Sequence, residues 1–93
     1  VYPREIEQVL EAQPGVAMAA VVGVPDPVFS EVGHAFVLRA PEALLDVAAL
    51  DAACRSRLAN YKIPKRITIA DELPLLPIGK LDKRRLRDMA LAT

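Results

Sequence analysis

The sequence predicts a small α+β domain, a sheet of about three strands with helices packed on it. Three observations predict this. Residues 16–24 and 35–39 alternate small and apolar side chains with the two-residue period of a strand. Apolar residues recur at helical spacing in three other segments. Proline or glycine stands at nearly every junction between these stretches. The 93 residues suit one domain, 1–93, with a thin core, because a chain of this size hides only roughly 60–65% of its unfolded surface.

Residues 3–12 read as the first helix. Pro3 suits a first helical position, Glu5 and Glu7 favour the positive helix start, and Ile6, Val9 and Leu10 share a face. Pro14-Gly15 ends it. In residues 16–24, Val16, Met18, Ala20, Val22 and Val24 alternate with Ala17, Ala19, Val21 and Gly23. Both sets are small or apolar, so both faces of this strand are expected to be covered. Pro25-Asp26-Pro27 is expected to stop the strand, and 28–33 to form a loop. A second strand, 35–39, places Phe36 and Leu38 on one face and Ala35 and Val37 on the other. Asp46 is a candidate N-cap for a helix reaching about Asn60, with Leu50, Cys54, Leu58 and Tyr61 as its apolar stripe. Pro64 prevents continuation. Residues 66–70 form a short strand with Ile67 and Ile69 on one face, and 71–78 an extended, proline-punctuated linker. Residues 81–92 read as a terminal helix, with Asp82 as candidate cap and Leu86, Met89 and Ala90 inward.

Composition narrows the function. No apolar run approaches the roughly 18 residues of a membrane span, and no signal peptide is visible. A single cysteine cannot form an internal disulfide, which fits a reducing, cytoplasmic setting. The lone Cys54 falls in a helical apolar pattern and reads as a small buried residue. Net charge is zero, but the halves differ: 1–51 holds two basic and eight acidic residues, a net of −6, and 52–93 holds ten basic and four acidic, a net of +6. An anionic partner for the second half and mutual attraction of the halves both account for this.

His34 stands without Cys, Asp or another His at ligand spacing and reads as a strand-edge side chain, so no metal site is expected. No Ser-His-Asp or Cys-His arrangement and no phosphate-cradling glycine pattern appears. The informative stretch is Pro77-Ile78-Gly79-Lys80-Leu81-Asp82-Lys83. A lysine behind a glycine on a turn can project into a neighbouring site as a mobile cation with three donors.

Four stretches together resemble one family. Val1-Tyr2-Pro3-Arg4-Glu5-Ile6-Glu7 is similar to the motif opening the C-terminal subdomain of adenylate-forming enzymes. Val21-Val22-Gly23-Val24-Pro25-Asp26 with Glu31 resembles the family's next loop. Tyr61-Lys62-Ile63-Pro64-Lys65-Arg66 resembles its Tyr-Lys-x-Pro segment. Glu72-Leu73-Pro74 and Pro77-x-Gly79-Lys80 resemble its closing motif. The order and spacing match over almost the whole chain. The resemblance is greatest to acyl-CoA synthetases and acid–CoA ligases. It implies a mobile C-terminal subdomain whose large N-terminal adenylation domain, with most of the ATP and acid pocket, lies outside these 93 residues. The chain by itself is then expected to show no turnover.

The resemblance also implies roles. Lys80 matches the adenylation lysine, bridging a carboxylic acid substrate and ATP, and Gly79 is supporting architecture because a side chain there would crowd that lysine. ATP and CoA are the implied substrates, with Mg2+ accompanying ATP in the large domain. Phe29 and Tyr61, with Lys62 and Lys65, match a CoA-binding face where rings pack on adenine and cations approach phosphate. Tyr61 and Phe29 also read as core residues. Glu31 is expected to hold loop or interdomain geometry. Ser30 replaces the family's usual glycine, and Ile63 stands where some relatives carry a basic residue. Two other functions remain open: an amino-acid adenylating subdomain that loads a carrier protein, favoured by Leu81-Asp82-Lys83, and a nucleic-acid-binding module. The second is disfavoured by the scarcity of aromatics, two Phe and two Tyr.

Overall fold

The computed structural model describes residues 2–92; Val1, which begins the opening motif, and Thr93 lie outside it. The element order is α1 (Pro3–Glu11), β1 (Val16–Asp26), β2 (Ser30–Arg39), α2 (Val47–Arg57), a 3-10 turn (Asn60–Lys62), β3 (Arg66–Ala70) and α3 (Lys83–Leu91). The three strands form one sheet in the order β1-β2-β3. β1 and β2 are antiparallel, paired from Val16↔Arg39 to Asp26↔Ser30. β2 and β3 are parallel, paired from His34↔Arg66 to Leu38↔Ala70. α2 returns the chain between the two parallel strands, as such a connection requires.

Both sheet faces are covered, as the alternation in β1 predicts. Ala19, Val21, Ala35, Val37 and Ile67 face Ile6 and Leu10 of α1 and Leu50 and Cys54 of α2. Ala20, Val22 and Phe36 face Leu81, Leu86 and Ala90. A shift in register between Val16 and Met18 separates these neighbours, so Val16 packs with the first cluster and Met18 with the second. Asp46 caps α2 by accepting the Ala48 N–H at 3.2 Å, and Asp82 caps α3 by accepting the Arg85 N–H at 3.3 Å.

Four expectations are corrected. Pro25-Asp26 does not stop β1, and of the expected loop 28–33 residues 30–33 are strand: the two strands form one long hairpin whose turn is Pro27-Val28-Phe29. β1 is an edge strand, where a residue without an N–H is tolerated. α2 ends at Arg57, because Leu58 is already extended (φ −118°, ψ 150°). Tyr61 therefore leaves the helical stripe and is 73% exposed, not core. Met89 is 44% exposed, since the inward side of α3 is filled by Leu86 and Ala90. His34 is buried in the central strand, where it stacks on Phe36 (centroids 4.3 Å) and shares a 2.9 Å hydrogen bond with Thr68 Oγ1. Cys54 is buried and free, and burial pushes its thiol pKa up, in keeping with a packing role.

The outward edge of β1 is sealed by carboxylates. Val21 N–H donates to Glu7 at 2.8 Å and Ala19 N–H donates to Glu11 at 3.2 Å. Glu7 and Glu11 are one helical turn apart, and the two N–H groups are two strand residues apart, so the helix and strand repeats match.

Candidate functional sites on two faces of one sheet

Lys80 stands on a tight hairpin loop, whose first arm and turn fall within the linker 71–78 that was expected to be extended throughout. Leu75 and Leu81 bridge as antiparallel partners. Leu76 N–H donates to the Lys80 carbonyl at 2.7 Å, and Gly79 N–H donates to the Leu76 carbonyl at 2.9 Å. Pro77 follows Leu76 at the position that a fixed φ favours, and Gly79 takes the left-handed conformation (φ +90°). Leu81 at the base is buried in the α3-side cluster. The loop thus has a rooted stem and an exposed tip. Beyond its chain neighbours, a Cβ on Gly79 would meet nothing within 4 Å, and the left-handed backbone angle is what calls for glycine here.

The chain has four lysines. Lys62 pairs with Glu5 at 2.8 Å, Lys65 with Asp26 at 2.9 Å, and Lys83 with Glu7 at 2.7 Å. Each of these pairs joins the basic half to the acidic half, as does Arg39 with Asp71 at 3.0 Å. Part of the charge asymmetry is therefore internal attraction. Among the described residues, Lys80 is the one lysine whose side chain makes no ion pair or hydrogen bond. A cation with no internal partner, carried on a fixed loop, is available to an anion brought from outside.

The second region is a cleft of about 700 Å3 on the side of Ile6. It gathers Phe29 from the β1–β2 turn, Glu31 from β2, Tyr61 and Lys62 from the 3-10 turn, and Lys65 before β3. Five sequence-predicted residues are thus brought together, and Lys80 is not among them. Ile6 belongs to one core cluster and Leu81 to the other, so cleft and lysine hairpin are rooted on opposite faces of the sheet. Phe29 is 71% exposed, so both candidate rings are at the surface. The turn carrying Phe29 is fixed by Asp26, whose Oδ1 accepts the N–H groups of Val28 (2.8 Å) and Phe29 (2.9 Å). Lys65, followed by those two N–H groups, holds the Asp26 carboxyl down from 3.8 to about 2. Glu31 folds its carboxyl back over Gly23, where an added Cβ would lie 2.5 Å from it. Glycine at 23 makes room for that close approach.

Sequence reasoning did not assign Tyr2 or Glu5 to this region. The Tyr2 ring meets Tyr61 edge-on (centroids 5.8 Å, 71°), and Glu5 holds Lys62. They lie 57–59 positions from their partners, and only their place in the opening motif marks them. Among the described residues, no group of three His, Cys, Asp or Glu lies at metal-binding spacing, and no helix is long and apolar enough to cross a membrane.

The family model described as the AMP-binding enzyme C-terminal domain matches residues 5–80. The 3-[(3aS,4S,7aS)-7a-methyl-1,5-dioxo-octahydro-1H-inden-4-yl]propanoyl:CoA ligase of Mycobacterium tuberculosis is 48% identical over 89 residues, 96% of this chain and 18% of the relative. The fatty acid–[acyl-carrier-protein] ligase ScoC of Streptomyces coeruleorubidus is 47% identical over 95% of this chain and 17% of its own length. Among solved structures, apo MatB from Rhodopseudomonas palustris superposes with a TM-score of 0.87 at 40% identity, covering 96% of this chain and 18% of that one. The chain thus spans about a fifth of the length of the proteins it matches.

Proposed function

We infer, since this chain belongs to the AMP-binding enzyme C-terminal domain family, that it is the lid subdomain of an ATP-dependent, AMP-forming acid–CoA ligase. A large N-terminal adenylation domain of the same polypeptide is its partner. The observation that carries the reading is Lys80, unpartnered among the described residues on a hairpin rooted by the buried Leu81.

The reaction has two steps. A carboxylate oxygen attacks the α-phosphorus of ATP, the bond to the bridging oxygen breaks, and pyrophosphate leaves. The CoA sulfur then attacks the acyl carbonyl, the acyl–phosphate bond breaks, AMP leaves, and the thiol proton passes to solvent. In the first step two anions approach each other, and Lys80 supplies the positive charge that stabilises them as the phosphoryl centre is attacked. In the second, Phe29 and Tyr61 offer rings to the CoA adenine, and the exposed Lys65 offers a cation to its phosphates. Mg2+ enters with ATP and is held by the large domain. Lysine hairpin and cleft root on opposite sheet faces, which suits a subdomain that turns between steps to present one and then the other. A cytoplasmic setting, where ATP and CoA are both held, fits this reading.

A second reading is loading of a carrier protein. Asp82 follows the Gly79-Lys80 pair, and one relative of nearly equal identity carries a carrier-protein ligase name. AMP release by the full-length polypeptide, with ATP and a panel of carboxylic acids, separates the two. CoA-dependent AMP formation is expected. Pyrophosphate exchange without CoA-dependent turnover would establish carrier loading, and no adenylation with any acid would overturn both.

A further inference from the structure

The two lysines of the cleft are held very differently. Lys65 has a side chain 64% exposed and one partner, Asp26. Lys62 is 20% exposed and enclosed on three sides. Its Nζ is 2.8 Å from Glu5, 4.7 Å from the centroid of the Tyr2 ring and 5.6 Å from that of Tyr61. The Glu5 carboxylate, foremost, raises the Lys62 pKa, so the ammonium stays charged in this setting. Glu5 itself does not line the cleft. Tyr61 sits in a three-residue 3-10 turn without a side-chain cap, exposed to solvent. Its recorded ring neighbours are the edge-on Tyr2 and the Lys62 ammonium.

We propose that Lys62 is a positioning residue for Tyr61, not a ligand of the CoA phosphates, and that Glu5, Lys62 and Tyr2 together hold the Tyr61 ring ready to stack. This rests on the reading of the cleft as the CoA face. An ammonium already facing a carboxylate and two ring faces has spent its donors. Engaging a phosphate would require it to leave Glu5 and uncover Tyr2. A ring held in place beforehand also spends less conformational freedom when the adenine arrives.

The two roles of Lys62 predict opposite signs for Glu5→Gln, read as the KM for CoA in AMP release by the full-length enzyme. A positioning role loosens with the loss of Glu5, and KM rises about threefold. A ligand role would free the cation, and a lowered KM overturns the proposal, as does an unchanged one. Lys62→Met is then compared with CoA and with dephospho-CoA. The same rise is expected with both, because the effect runs through the ring and not the ribose phosphate; a rise confined to CoA overturns the proposal. Tyr61→Ala separates the two levels of the argument. If it raises KM while Glu5→Gln and Lys62→Met do not, the cleft reading stands and this inference falls. If it leaves KM unchanged, the cleft is not the CoA face and both fall.

Discussion

Lys83 Nζ lies 2.7 Å from the Glu7 carboxylate oxygen that also accepts the Val21 N–H at 2.8 Å. One buried carboxylate thus ties α1, the edge of β1 and the first turn of α3 to one point. Glu7 is 4% exposed, while the Lys83 side chain is 49% exposed, so the loss of Glu7 falls mainly on the Val21 N–H. Glu7→Ala leaves the Val21 N–H and the Lys83 ammonium without an acceptor, and is expected to cost about 2 kcal/mol. Glu7→Gln keeps an acceptor oxygen and loses only the charge, for about 1 kcal/mol. Urea unfolding of the two variants checks the order, and equal costs would show that the charge, not the edge N–H, is what matters.

Lys80→Ala is expected to leave the stability of the fold unchanged, because its side chain meets no partner among the described residues. In the full-length enzyme it should lower acid-dependent pyrophosphate exchange by about 100-fold or more, the scale seen when a preorganised charge-stabilising donor is removed. CoA attack on a pre-formed acyl-adenylate should be spared, since the cleft is rooted on the other face of the sheet. Equal loss in both half-reactions would sink the assignment.

Ser30 and Gly79 form a matched pair of tests. Ser30 holds φ at +65°, a left-handed conformation that costs a residue with a Cβ about 1 kcal/mol. Ser30→Gly removes that strain against a smaller loss to the freedom of the unfolded chain, and a slightly raised melting temperature is expected. Gly79→Ala introduces the same strain at φ +90°, and beyond its chain neighbours nothing lies within 4 Å of the added Cβ. A destabilisation of about 1 kcal/mol is expected there, confined to the hairpin. A much larger loss would mean that crowding, not backbone angle, governs the site.

The legible parts of this fold were those fixed by local pattern. The two-residue alternation in β1 carried the two-sided burial, Asp46 and Asp82 carried the helix starts, and the limits of β3 were read correctly. The misread parts depended on what lies beside them in space. Pro25 looks like a strand breaker until β1 is known to be an edge. Tyr61 fits a helical stripe, and only the extended turn at Leu58 moves it to the surface. Lys80 was marked by its motif, but the pairing of the other three lysines, which singles it out physically, spans 39 to 76 positions of sequence. Periodicity does not reach that far.

Acid should weaken the fold in two separate stages. His34 is buried in the central strand, and burial foremost, with the Arg66 charge second, lowers its pKa below 6.5. Its protonated form is favoured in the unfolded chain, so stability falls as pH drops below 6.5 and levels once the folded form is also protonated. Asp26 behaves in the ordinary carboxylate sense. Lys65 first, then the Phe29 and Val28 N–H groups, hold it down from 3.8 to about 2. Its contribution is fully present above 3.8 and is lost as pH falls through about 2. The urea midpoint, followed from neutral pH downward, should therefore decline, flatten, and decline again. Asp26→Asn should abolish the Asp26 contribution to the second decline and leave the first in place. A wild-type profile that is flat between 3.8 and about 2 would mean that Asp26 is not engaged by Lys65 and the turn N–H groups in solution, and with it the fixed seat of Phe29 at the cleft would be lost.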